Sequence, residues 1–220
     1  MGDYTIKSVS SKKDHKSEVV SEVFDSIRHR NNPLLFFVGE TEGLLDHIER
    51  SFGYRILGNQ AGATVDSDSK YPIIRVDLKM NHYTNTTSFD NQLRRAINGS
   101  IFDATRKYGD TWGNRYVTVT FVDLLAGIPH PHSNLEIVCT LAKYMRDFLG
   151  GINEKQKRKP ILLIDNYDSI LNCVGNCDDA KYCMSTIGRF VNALASDQSL
   201  MTLTVVTGQH NPNLSNIVNN

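Results

Sequence analysis

Apolar positions along this chain follow two rhythms: short unbroken runs and stripes at helical spacing. Leu34–Val38 (LLFFV) and Pro160–Ile164 (PILLI) are nearly all apolar and too short for ordinary helices, as is Leu200–Val206 (LMTLTVV). Such runs predict strands buried on both faces. Tyr71–Met80 (YPIIRVDLKM) reads as a further strand, and Tyr116–Val122 (YVTVTFV) alternates as a half-buried strand would. The stripes fall between the runs. Val19, Val23 and Ile27, joined by Val20 and Phe24, predict a helix from Ser17 that ends in the basic RHRNNP at Pro33. Leu44, Leu45, Ile48 and Phe52 predict the next. Ser88 is placed to cap a long helix with Phe89, Leu93, Ile97, Ile101 and Tyr108 on one face. Leu135, Val138, Leu141, Ala142, Met145 and Leu149 predict another, stopped at Gly150–Gly151, with KQKRK (155–159) as a basic loop beyond it. Ile187, Phe190, Val191 and Leu194 mark the last helix.

Buried strands alternating with helices predict an α/β fold: a doubly wound, mostly parallel sheet with helices on both faces. Residues 1–16 are polar and are expected as a flexible tail, leaving 17–220 as a single domain. No internal repeat is visible. In such sheets the working residues lie beyond the carboxyl ends of the strands. Gly39, Asp165 and Thr207 all fall there.

Composition narrows the class. Lys+Arg 24 balances Asp+Glu 24, so net charge gives no reason to expect a nucleic-acid or anionic-membrane partner. No apolar run approaches the roughly 18–20 residues of a membrane span, and the amino terminus has no signal-peptide core. Four cysteines in 220 residues are expected to be free thiols of an intracellular protein, in cytoplasm or nucleus.

Three stretches carry candidate chemistry. The first is Gly39-Glu-Thr-Glu-Gly43-Leu44-Leu45-Asp46, at a strand-to-helix turn. A phosphate loop reads G-x-x-x-x-G-K-[ST]; its backbone amides curl around phosphate, its lysine neutralises it and its hydroxyl holds Mg²⁺. Here the second glycine comes one residue early, and leucines stand at the lysine and hydroxyl positions. Glu40 and Glu42 would each oppose a phosphate about 4–6 Å away by on the order of a kcal/mol. A helix amino terminus offers only about half a charge in return. Gly39, Thr41 and Gly43 are thus read as a remnant phosphate loop, or as a plain corner needing positive φ. The second stretch is KPILLIDNYDSIL, Lys159–Leu171, where four apolar residues end in Asp165, the layout of a Walker B acid that orients Mg²⁺. The third is LTVVTGQH, where a polar strand end, Thr207, could meet a γ-phosphate.

KPILLIDNYDSIL resembles the "kPilLIDEYDtpi" signature of the AAA-ATPase-like P-loop family, whose members often carry a PD-(D/E)XK-type nuclease domain downstream. YPIIRVDLKMN followed by SFDNQLRRAI is similar to that family's "hPVi-l-f" strand and following "sfe" helix. IGRFVNALASDQSLMTLTVVTG is similar to its segment ending in LTG. The likeness spans about Asn32 to Asn220 and includes none of the nuclease half. It implies a sheet of the P-loop NTPase (AAA/RecA-like) type. By position Asp165 matches the Walker B acid, Asp168 the second acid of DEYD, and Thr207–Gly208 the LTG turn. Asn166 replaces the family glutamate, which would take a proton as asparagine cannot. Gly39–Asp46 departs from the family's R-R-F-G-K-T loop.

The resulting expectation is a degenerate ATPase domain without a cofactor, kept as a protein-interaction or self-association module. The enzyme alternative is an NTP-binding protein that holds Mg·ATP through a non-standard loop, with Asp165 and Asp168 on the metal. A third reading is a nucleic-acid accessory role through KQKRK and the amino-terminal SSKKDHK. KQKRK has no interleaved aromatic residues to stack on bases, which favours a solvated loop. Cys173, Cys177 and Cys183 form C-x₃-C-x₅-C, looser than usual zinc pairs and needing a fourth ligand such as Cys139 or a histidine. Free thiols are the simpler reading. His130 and His132 in PHPH are read as a polar turn rather than as metal ligands.

Overall fold

The computed structural model describes residues 4–9, 13–29, 34–53, 70–108 and 134–210. Among the described residues five strands, β1 (Tyr4–Val9), β2 (Leu34–Gly39), β3 (Ile73–Asp77), β4 (Ile161–Asp165) and β5 (Leu203–Gly208), form a parallel sheet in the order β1-β2-β5-β4-β3. Among the described residues the helices are α1 (Lys13–His29), α2 (Leu44–Phe52), α3 (Thr86–Tyr108), α4 (Asn134–Gln156) and α5 (Cys177–Ala195), with a 3₁₀ turn at Ser169–Asn172. This is the predicted doubly wound α/β architecture.

The apolar runs are strands because both of their faces are covered. Leu35, Phe37, Leu163 and Val205 pack with Val19 and Val23 of α1 and with Leu44, Leu45 and Ile48 of α2. Phe36, Val76, Leu162, Ile164 and Val206 pack on the other face with α3, α4 and α5. α1 and α2 therefore cover one face, and they join β1 to β2 and β2 to β3, both steps in one direction across the sheet. The helices before β4 and β5 cover the other face, and those steps run backwards. Reversing direction together with face is what uniformly right-handed crossovers require. The chain leaves β2 toward one face and β4 toward the other, which puts the topological switch point, where such sheets bind ligands in a crevice, at the carboxyl end of β5.

Ser88 does not cap α3, which begins at Thr86; its N–H instead donates to Asn85 Oδ1 at 2.8 Å. Three further expectations change. The polar amino-terminal tail is instead partly ordered: Tyr4–Val9 forms edge strand β1 in register with Leu34–Gly39, and α1 begins at Lys13. An edge strand needs one partner and one packed face, so it lacks the apolar run of the central strands. Second, α4 does not stop at Gly150–Gly151 but continues to Gln156. Met145, Phe148, Leu149 and Ile152 extend its buried stripe across the glycines, and that packing outweighs a helix penalty of roughly 1 kcal/mol per glycine. Third, the first two residues of KQKRK thus belong to α4; Lys157 follows with φ 53°, the left-handed turn that ends it. The strand predicted at Tyr116–Val122, and His130 and His132, lie outside the described residues. No helix among the described residues is long and apolar enough to cross a membrane.

Candidate functional site

Gly39 ends β2 with φ 114°, and a Cβ there would lie 2.4 Å from the Val9 carbonyl oxygen. Only glycine lets the β1 terminus come this close. The turn that follows binds itself. Glu40 N–H donates to Val9 O at 3.2 Å, Thr41 N–H to Gly39 O at 2.9 Å, and Leu44 N–H to Thr41 O at 3.0 Å. A phosphate cradle needs such amides pointing outward; here protein carbonyls take those of Glu40, Thr41 and Leu44. Gly43, at φ 68°, precedes α2 without a side-chain cap. Leu44 and Leu45 turn into the core, so the place of the anchoring lysine is filled by buried apolar surface. One cation does reach this corner: a methyl group on Gly43 would sit 3.4 Å from Lys16 Nζ of α1.

Across the crevice, Asp165 closes β4 with both oxygens engaged. Oδ1 accepts from Thr207 Oγ1 at 2.6 Å and from Asn166 N–H at 3.0 Å. Oδ2 accepts from the Arg75 guanidinium at 2.8 Å. The other arm of Arg75, from β3, pairs with Asp46 in the first turn of α2. Asp46 follows Leu45, which stands at the hydroxyl position of a phosphate loop when the stretch is aligned on Gly43. In P-loop enzymes one metal ion joins that hydroxyl to the Walker B acid. Here a guanidinium joins Asp165, at the Walker B position, to Asp46, the residue after the hydroxyl position. Partial burial works against the Arg75 charge, but hydrogen bonds to Asp46 and Asp165 outweigh it and raise its pKa further.

Asn166 has φ 56°, a conformation asparagine tolerates better than most residues. Its Nδ2 donates to Asp77 Oδ1 at 2.8 Å. The residue that departs from the family glutamate therefore holds a left-handed turn and ties β4 to β3.

Asp168 has partners of its own. Its buried carboxylate accepts from Gln209 N–H at 3.0 Å and from His210 N–H at 2.6 Å, and it meets His210 Nδ1 at 2.8 Å. It caps the turn after β5. Tyr167 completes the clamp: its N–H donates to Thr207 O at 3.2 Å, and its hydroxyl donates to His210 O. A Cβ on Gly208 would lie 2.3 Å from the Tyr167 ring and 2.6 Å from Asp168 Oδ1. The tyrosine and second aspartate of the DNYD stretch thus lock the Thr207–Gly208 turn. Two distant motifs form one structural unit.

The thiols do not converge. Cys173 follows the 3₁₀ turn and donates to Met80 O at 3.5 Å, Cys177 is exposed at the start of α5, and Cys183 is buried on that helix. Burial, then Asp179 and Asp90, push the Cys183 thiol up to about 12, away from the thiolate that metal binding needs. Among the described residues no group of three His, Cys, Asp or Glu could hold a metal ion. Sequence reasoning missed Arg75, Asp46 and Lys16. The one available signal was an arginine inside a strand otherwise apolar at its centre.

Compared with protein-family profiles, residues 46–217 match the AAA-ATPase-like family, described as "Predicted AAA-ATPase". That is more than half of the 220 residues. The chain belongs to the AAA-ATPase-like family. Searches of curated proteins and of solved structures each returned no significant match. The family description implies Mg·ATP, and the residues of this AAA-ATPase-like chain fit that group poorly. Leucines replace the lysine, the amides of Glu40, Thr41 and Leu44 are bonded to protein carbonyls, Arg75 pairs with Asp165 at the Walker B position, and Asn166 offers no base.

Proposed function

We propose that this AAA-ATPase-like domain does not hydrolyse nucleotide and serves as a protein-interaction or assembly module. The reading rests on Arg75, whose guanidinium pairs with Asp165 at the Walker B position and with Asp46 in the first turn of α2. The guanidinium neutralises both carboxylates without a ligand. An apolar groove of about 520 Å³ between α1 and α2 supports the interaction role. It is lined in part by Val20, Phe24, Ile27, Phe52 and Tyr71, and Phe24 is 52% exposed. Its concave apolar lining suits an apolar side chain of another protein or of a second copy.

Calorimetric titration with ATP, with and without Mg²⁺, tests the first half. The expected result is no binding that depends on Mg²⁺ and on Asp165. Saturable, Mg²⁺-dependent binding that Asp165→Ala abolishes would refute it. Sedimentation of the wild type and of Phe24→Glu over a concentration series tests self-association through the groove.

One observation favours a second reading, in which nucleotide binds through a displaced cation. Lys16 stands beside Gly43, close enough to serve as a phosphate anchor supplied by α1. On that reading Lys16→Ala abolishes the Mg·ATP heat, while Arg75→Ala strengthens it by freeing Asp165.

A further inference from the structure

At the amino-terminal end of the sheet, opposite Gly39, Asp165 and Thr207, a cavity of about 470 Å³ opens where the chain enters β3, β4 and β5. Its described lining includes Lys157, Arg158 and Lys159 and no carboxylate. Lys157 and Lys159 thus bring two cations to one cavity, with Arg158 between them in sequence. These are the last residues of KQKRK. That run lacks interleaved aromatic residues in sequence, but the fold supplies one. Tyr71, more than eighty positions earlier, lines the same cavity, and the Arg158 guanidinium lies over its ring at 4.2 Å from the centroid. Lys159 Nζ donates to Gln198 O at 2.9 Å, which holds the ammonium at the rim with donors to spare. The Asn153 amide and the Thr202 hydroxyl add neutral hydrogen-bonding groups.

A phosphate needs clustered cations, and a nucleobase needs a flat polarisable surface to stack on. An arginine laid on a tyrosine provides that surface. The volume falls in the range of small-molecule sites. From this combination we infer that the amino-end cavity binds a nucleotide unit, its phosphate on Lys157 and Lys159 and its base against the Arg158–Tyr71 stack. The site is independent of the crevice that holds Asp165. The unit could belong to a single strand of nucleic acid or to a free nucleotide.

The test is fluorescence anisotropy of a labelled oligothymidylate titrated with the full chain at several salt concentrations. Two phosphate contacts predict a salt slope of about −1.4 in log–log form, roughly 0.7 per contact for single strands. Lys157→Asn removes one charge and suits the left-handed backbone there; it is expected to reduce the slope by about half and weaken binding several-fold. Arg158→Leu is expected to weaken binding roughly tenfold by losing the stack. Circular dichroism melts check folding, and Lys157→Asn keeps the test decisive if Arg158→Leu does not fold. Thymidine monophosphate that displaces the strand better than inorganic phosphate at equal ionic strength marks a free-nucleotide site. Displacement only by a second oligonucleotide marks a strand site. Either result supports the inference, and binding here is indifferent to Asp165→Ala. No saturable binding at low salt, binding unchanged in both variants, or equal displacement by inorganic phosphate would overturn it.

Discussion

If Arg75 stands in for a metal ion, its removal should weaken the fold and create a need for one. Arg75→Ala deletes two ion pairs of different worth. The Asp46 limb is largely exposed, with side chains 36% and 51% accessible, and such pairs contribute about 0.2–1 kcal/mol. The Asp165 limb reaches a carboxylate only 17% accessible. Loss of a hydrogen bond to a charged, mostly buried group costs about 1.5–3 kcal/mol, reduced here because Arg75 itself is about a third exposed and because Thr207 and Asn166 still donate to Asp165. The sum is about 2 kcal/mol, or roughly 4–8 °C in Tm for a domain of this size. Urea unfolding followed by circular dichroism should show a lower midpoint with an unchanged slope. The distinguishing readout is Mg²⁺. Millimolar Mg²⁺ should leave the wild-type Tm unmoved and raise that of Arg75→Ala, because Asp46 and Asp165 are left with unneutralised charge. A loss within about 0.5 kcal/mol, as for an ordinary surface substitution, together with no Mg²⁺ response in the variant, would refute the reasoning.

Gly39→Ala forces a Cβ against Val9 O at a positive φ. It should cost about 3 kcal/mol, with loss of hydrogen-exchange protection in β1 ahead of the central strands. Asp168→Ala strips the acceptor from two backbone amides and from His210; a loss of about 3 kcal/mol by chemical denaturation is expected, with no effect on oligonucleotide binding at the far end of the sheet. The raised Cys183 thiol makes stability pH-dependent on the alkaline side. The folded state holds its proton to about 12, while the unfolded thiol releases it near the ordinary value of about 8.5. This contribution is fully present below the unfolded value and is lost as pH rises through that window. Cys183→Ala should flatten the alkaline slope of stability, and a thiol reagent should modify exposed Cys139 and Cys177 well before Cys183.

The sequence by itself determined the layers. Whether a segment is buried on one face or two is written in its local periodicity, so LLFFV, PILLI and LTVV announced themselves as central strands and Leu44, Leu45, Ile48 and Phe52 as the inward face of α2. Asp165 and Thr207 could be placed at strand ends for the same reason, since an apolar run has a visible terminus. Local pattern misjudged Tyr4–Val9, where backbone pairing with β2 rather than an apolar face makes the strand, and Gly150–Gly151, where packing overrules propensity. The site itself was decided by tertiary structure. Arg75 meets Asp46 and Asp165 across 29 and 90 positions of chain, and Arg158 finds Tyr71 from the other side of the sheet. Electrostatic and stacking contacts depend on distance through space, and a short window of sequence carries no information about which remote segments the sheet order will bring within a few ångströms.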